Sequence, residues 1–120
     1  MKLWIVLAVV SLAAFVKADG RGRSHSVTWG ARTFRDMHVR REIITEKSKF
    51  LRVVTRDFVF SQNPKLARTI TQIVITDQVR EGLGGYAYLT AGGPQSDFVK
   101  IHFKSQRNKG FSFIVDVYAI

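Results

Sequence analysis

From residue 111 to residue 119 every second side chain is apolar. Phe111, Phe113, Val115, Val117 and Ala119 hold one set of alternate positions; Ser112, Asp116 and Tyr118 hold the other, with Ile114 the exception. Successive side chains of an extended strand point to opposite faces, so a period of two marks a strand with one face buried and one in water. The same alternation runs from 98 to 104, where Val99, Ile101 and Phe103 alternate with Lys100, His102 and Lys104. A helix needs apolar residues three and four apart, and no segment beyond residue 18 offers such a stripe. The polar stretch 105–110 joins these two segments and predicts an antiparallel hairpin.

Other segments carry weaker versions of this signal. Residues 69–77 (Thr-Ile-Thr-Gln-Ile-Val-Ile-Thr-Asp) are rich in β-branched side chains, which suit a pleated surface. Residues 86–90 read as a strand between a glycine-rich turn at 81–85 and a second turn at 91–94. Between 50 and 60, Phe50, Val54, Phe58 and Phe60 fall on even positions with Arg52 and Arg56 between them. That mixture predicts a strand with a bulge, or two short strands. Residues 27–29 and 37–44 add two further strands, and Asn63-Pro64-Lys65 a turn. About seven strands at short spacing predict an all-β fold: a single antiparallel β-sandwich or small barrel over 26–120.

The N-terminus has a different character. Lys2 precedes an apolar stretch that runs to Val16, and Val16-Lys17-Ala18 ends it with short residues at the first and third positions. This is the layout of a secretory signal, with cleavage expected between Ala18 and Asp19. The stretch falls short of the roughly 20 apolar residues of a membrane span. Residues 19–25, glycine-rich and polar, predict a flexible leader. Lys2 and Lys17 depart with the signal, so 17 basic residues face 9 acidic ones in the remaining chain, a net charge of +8.

The chain contains no cysteine. That excludes disulfides, thiol catalysis and cysteine-based zinc sites. His25, His38 and His102 do not pair at metal-ligand spacing, so neither metal nor other cofactor is expected. Neither a serine nucleophile in a glycine elbow nor a useful pair of carboxylates stands out, and the expectation is a protein that is not an enzyme. An RNP-like or helix-turn-helix signature is also missing, which argues against direct sequence-specific nucleic-acid binding.

The chemistry that remains is cationic. Lys100, His102 and Lys104 share a strand face, and Arg107 and Lys109 lie in the adjoining turn; these five are the candidate site for an anionic ligand. Arg40, Arg41, Arg52 and Arg56 add further strand positions. Clustered cations bind phosphates, sulfated glycans or lipid headgroups. A lysine-rich face also protects a sheet against pairing with another chain, so both readings stand. Tyr86, Tyr88 and Tyr118 lie among these cations, either to stack on a ligand or to pack across strands. Gly82, Gly84 and Gly85 form either an anion nest or a plain turn.

In combination, several motifs resemble the insect family named after multiprotein bridging factor type 2. They are Ser48-Lys49-Phe50-Leu51-Arg52-Val53-Val54-Thr55, Ile70-Thr71-Gln72-Ile73 with Asp77, Gly84-Gly85-Tyr86-Ala87 with Gly92-Gly93, and Lys104-Ser105-Gln106-Arg107 through Gly110-Phe111-Ser112-Phe113 to Val117-Tyr118. Gln95 departs from the pattern, where such sequences often carry glycine. The resemblance implies two roles. One is that of a transcriptional coactivator bridging a DNA-binding regulator to the general transcription machinery. The other is that of a secreted peptide of saliva, venom or haemolymph. The N-terminal signal favours the second: an extracellular binding or effector protein whose partner is another protein or an anionic surface such as a glycan or lipid headgroup. The resemblance implies no catalytic or cofactor residues.

Overall fold

The alternate apolar positions become a core. The computed structural model describes residues 25–80 and 82–120, and in it the protein is built of seven strands and no described helix. They are β1 (Val27–Gly30), β2 (Met37–Glu46), β3 (Thr55–Phe60), β4 (Ile70–Asp77), β5 (Tyr86–Gly92), β6 (Val99–Lys104) and β7 (Phe111–Ala119). The signal peptide at 1–18, the cut between Ala18 and Asp19, and the leader as far as residue 24 lie outside the described residues. His25, at the end of the expected leader, is held in place: its amide donates to Asp77 Oδ2 at 3.2 Å and its ring stacks on Tyr86.

The strands form two antiparallel sheets, one of four strands in the order β1-β4-β7-β2 and one of three in the order β3-β6-β5. Val99, Ile101 and Phe103 of β6 meet Ile73 and Ile75 of β4 and Phe113, Val115 and Val117 of β7 in one buried cluster. Phe103 packs against both Phe111 and Phe113, with ring centroids 6.0 and 5.0 Å away, inside the 4.5–7 Å range of packed aromatic pairs. The sandwich is therefore filled by the residues that the alternation picked out.

The expected hairpin of 98–104 with 111–119 does not form. β6 and β7 both bury their alternate apolar faces, but in opposite sheets, and residues 105–110 cross between them. The crossing is fixed by the loop before β3. Ser105 N–H donates to the Val54 carbonyl at 2.9 Å, Val54 N–H to Ser105 Oγ at 2.8 Å, and Asn108 N–H to the Arg52 carbonyl at 2.8 Å. The hairpin present is β5–β6, which pairs Tyr86 with Lys104 and Gly92 with Val99.

Two further expectations need correction. β3 starts at Thr55, so residues 50–54 are loop, and Phe50 does not share the fate of Phe58 and Phe60, which are buried. The cause is local. Arg52 N–H closes a turn on the Lys49 carbonyl, and Leu51 enters the left-handed region at φ 56°. The turn expected at 91–94 lies later. β5 continues through Ala91 and Gly92 past a bulge after Leu89, and Gly93 N–H then pairs with the Phe98 carbonyl around Gln95, at φ 78°.

Candidate functional site

β6 is the central strand of the three-stranded sheet, so its outward side chains have neighbours on both sides. Lys104 lies between Thr55 and Tyr86, His102 between Asp57 and Tyr88, and Lys100 between Val59 and Ala91. The alternation that buries Val99, Ile101 and Phe103 thus turns Lys100, His102 and Lys104 outward onto one face. Lys100 and Lys104 are exposed and four residues apart, about 13 Å along the strand at the usual rise.

Tyr86 and Tyr88 extend that face along β5. They are 39% and 47% exposed, more open than a packed core tyrosine. Their rings continue a row that begins with His25 stacked on Tyr86 at 4.6 Å. It runs through Tyr86 and Tyr88 at 6.5 Å to Tyr88 and His102 at 6.4 Å. His102 Nδ1 then lies 2.7 Å from Asp57 Oδ1, a distance at which the ring N–H donates to the carboxylate. Asp57 was not singled out by sequence reasoning, because its position opposite His102 depends on the β3–β6 register. It places one negative charge within the lysine row.

The other two candidate cations sit elsewhere. Arg107 and Lys109 belong to the crossing turn at the end of the sandwich. The Arg107 guanidinium donates to the Leu51 carbonyl at 2.7 Å. Lys109 lines an open groove with Glu46, Lys47, Val79, Leu83 and Phe111. The five residues therefore divide into a strand-face group of 100, 102 and 104 and an end group of 107 and 109.

The remaining strand arginines are engaged by carboxylates. Arg41 Nε donates to Asp116 Oδ1 at 2.8 Å, and His38 Nε2 lies 2.7 Å from the same oxygen. Burial pushes the Asp116 carboxyl up, but the hydrogen bonds from Arg41 and His38 and their nearby charge outweigh it and hold the group below the usual carboxylate range. Arg40 pairs with Glu42 at 2.9 Å, and Arg56 with Glu46 at 3.1 Å. Arg52 is a loop residue rather than a strand one.

The glycine loop resolves as a turn. Gln106 Nε2 donates to the carbonyls of Gly82 at 2.8 Å and Gly84 at 2.9 Å, so the loop is used there as an acceptor. The buried Asp77 carboxylate packs against Gly84, where any Cβ would strike it. A carboxylate at that point opposes an anion nest.

Comparison with known proteins gives a matching family and a similar protein. The family described as "Transcription activator MBF2" matches residues 29–119, from the end of β1 to the end of β7. A protein of Bombus ignitus named "Probable salivary secreted peptide" is 34% identical over 102 residues, which cover 85% of this chain and 75% of that protein. No solved structure matches the chain.

Proposed function

From a chain that belongs to the MBF2 family, we propose an extracellular, non-enzymatic binding protein that holds an anionic glycan on the outer face of its three-stranded sheet. The observation that carries this reading is the combination on one open face: Lys100 and Lys104 beside Tyr86 and Tyr88. Partly exposed rings give apolar surface to sugar faces, and ammonium groups at their side meet sulfate or carboxylate. The relative named as a salivary secreted peptide supports the extracellular setting, as does the N-terminal signal.

Two lysines against one carboxylate make a weak field, so binding depends on salt. At physiological ionic strength screening limits its reach to about 8 Å. Heparin retention is the test. Changing Lys100 and Lys104 to glutamine in a folded protein is expected to lower the eluting salt concentration, and Tyr88→Ala to lower it again. Retention unchanged in both variants rejects the face as the site.

A second reading has its own support in the family description as a transcription activator. In that reading the chain is a coactivator that works through protein contacts. Location separates the two. The extracellular reading expects the natural protein outside cells with a mass that starts at Asp19. A soluble nuclear protein that retains residues 1–18 favours the coactivator.

A further inference from the structure

The end of the sandwich that carries Arg107 and Lys109 has a feature that the sheet face lacks. Phe50 is 81% exposed and Leu51 54%, adjacent in the loop between β2 and β3. Their exposure is built rather than incidental. Leu51 N–H donates to Asn108 Oδ1 at 2.9 Å, and the Leu51 carbonyl accepts from Arg107 at 2.7 Å. Asn108 N–H donates to the Arg52 carbonyl at 2.8 Å, and Arg52 N–H to the Lys49 carbonyl at 3.0 Å. Three of these hydrogen bonds fix the loop to the crossing turn and the fourth closes the loop on itself, and both apolar side chains are left toward solvent. The same two segments carry Lys47, Lys49, Arg52, Arg107 and Lys109, none of which has a carboxylate partner among the described residues. Elsewhere in the sandwich Arg32, Arg40, Arg41 and Arg56 do have one.

We propose that this end docks on a lipid bilayer with anionic headgroups, Phe50 and Leu51 entering the interface and the five cations meeting the headgroup phosphates and carboxylates. Two adjacent apolar side chains on a loop offer far less than the roughly 800 Å² per partner of a stable protein interface. A bilayer requires no matching surface: apolar groups partition into its interfacial layer, and each nearby basic residue adds attraction to an anionic leaflet. The charge around the loop selects the occupant, since a neutral apolar partner would leave five cations to be desolvated without compensation. This goes beyond the glycan reading and uses different residues.

Vesicle flotation tests it, with the purified protein of determined N-terminal mass. Vesicles of phosphatidylcholine alone are compared with vesicles containing about a third phosphatidylserine. Binding is expected on the mixed vesicles only, and it should fall as salt rises. Phe50→Ser combined with Leu51→Asn, asparagine being suited to the left-handed backbone at 51, is expected to weaken that binding about tenfold or more. Lys65→Gln, in the loop between β3 and β4 and outside both proposed sites, should lower it far less than the loop variant does. Should the double loop variant fail to fold, Phe50→Trp reads insertion directly, with a blue shift of emission on the mixed vesicles alone. Overturning results are equal flotation of the folded loop variant, equal binding to both vesicle types, or no blue shift. Heparin retention without vesicle binding also rejects docking while it leaves the glycan site standing.

Discussion

Phe113 shows how far a single residue depends on its surroundings. It is fully buried, with the rings of Phe103 and Phe111 at 5.0 and 5.8 Å. Phe113→Ala removes that packing and leaves a cavity, at a cost of about 3–5 kcal/mol in denaturant unfolding. Phe34, 86% exposed in the loop before β2, gives the contrast: Phe34→Ala should stay within about 0.5 kcal/mol. Asp116 is the polar counterpart. It is only 5% exposed, although the alternation sets it on the outward face of β7. Its depressed pKa means that the ionised form is stabilised in the folded protein. That stability is present above the unfolded value, about 3.9, and is lost as pH falls through the lower folded value. Asp116→Asn should therefore lower stability at neutral pH by about 1.5–3 kcal/mol, the range for hydrogen bonds to a charged group. The gap from the natural protein should close below about pH 4. A gap that persists unchanged at pH 2 would show that packing, not charge, is what the variant loses. Gln95 sits at φ 78°, where a side chain is strained by about 1 kcal/mol or more, so Gln95→Gly should raise thermal stability.

β2 shows the problem of an edge strand and one answer to it. Its pairing with β7 leaves its other edge open, where strand addition by a second chain is a hazard. Arg40, Glu42, Ile44 and Glu46 fall in register with buried positions of β7, and only Ile44 is buried. Arg40 pairs with Glu42 and lies over the Phe60 ring at 5.7 Å, and Glu46 reaches Arg56 of β3. Charged groups directed toward the sandwich along an edge resist continuation of the sheet. As partly exposed pairs they add little to stability. Arg40→Val with Glu42→Val should consequently leave the unfolding midpoint of dilute protein nearly unchanged while it promotes self-association, visible as a rise in sedimentation-derived mass with concentration. A strictly monomeric variant would assign edge protection to another feature.

For the whole molecule, the buried core that joins both sheets is expected to hold the fold without a metal, and a chain with no cysteine has no disulfide. A core that spans both sheets, in a chain of 120 residues without cysteine, lies above the size at which such staples are usual. The melting temperature should be the same with and without reductant or chelator, as differential scanning calorimetry can check. A fall of many degrees with chelator would reveal a metal that contributes to folding. Cations are distributed unevenly over this frame. Several strand arginines are neutralised by carboxylates, while the cations of the loop at 47–52 and the turn at 105–110 have no carboxylate partner among the described residues. A net charge of +10 for the full chain therefore understates how localised the field is.

The local pattern was enough to identify strands, and in β6 and β7 the face that each would bury, because side-chain direction alternates along any extended chain whatever it pairs with. By the same logic Lys100, His102 and Lys104 were legible as one face. Pairing partners were not legible. β6 and β7 look like a hairpin in sequence because both flank a short polar turn, yet the buried faces meet across the sandwich rather than along a ladder. Asp57 beside His102, Asp116 beneath Arg41, and Arg107 at Leu51 all join residues 45 or more apart, so each contact exists only once register and crossing are set. Phe50 made the difference plainest. Its parity matched the buried phenylalanines of β3, but parity has meaning only where the backbone is extended, and the turn at Lys49–Arg52 ends that condition. Composition and alternation thus determined what had to be buried. The three-dimensional arrangement decided which cations pair with carboxylates and which apolar groups stayed outside, because both depend on contacts between segments far apart in the chain.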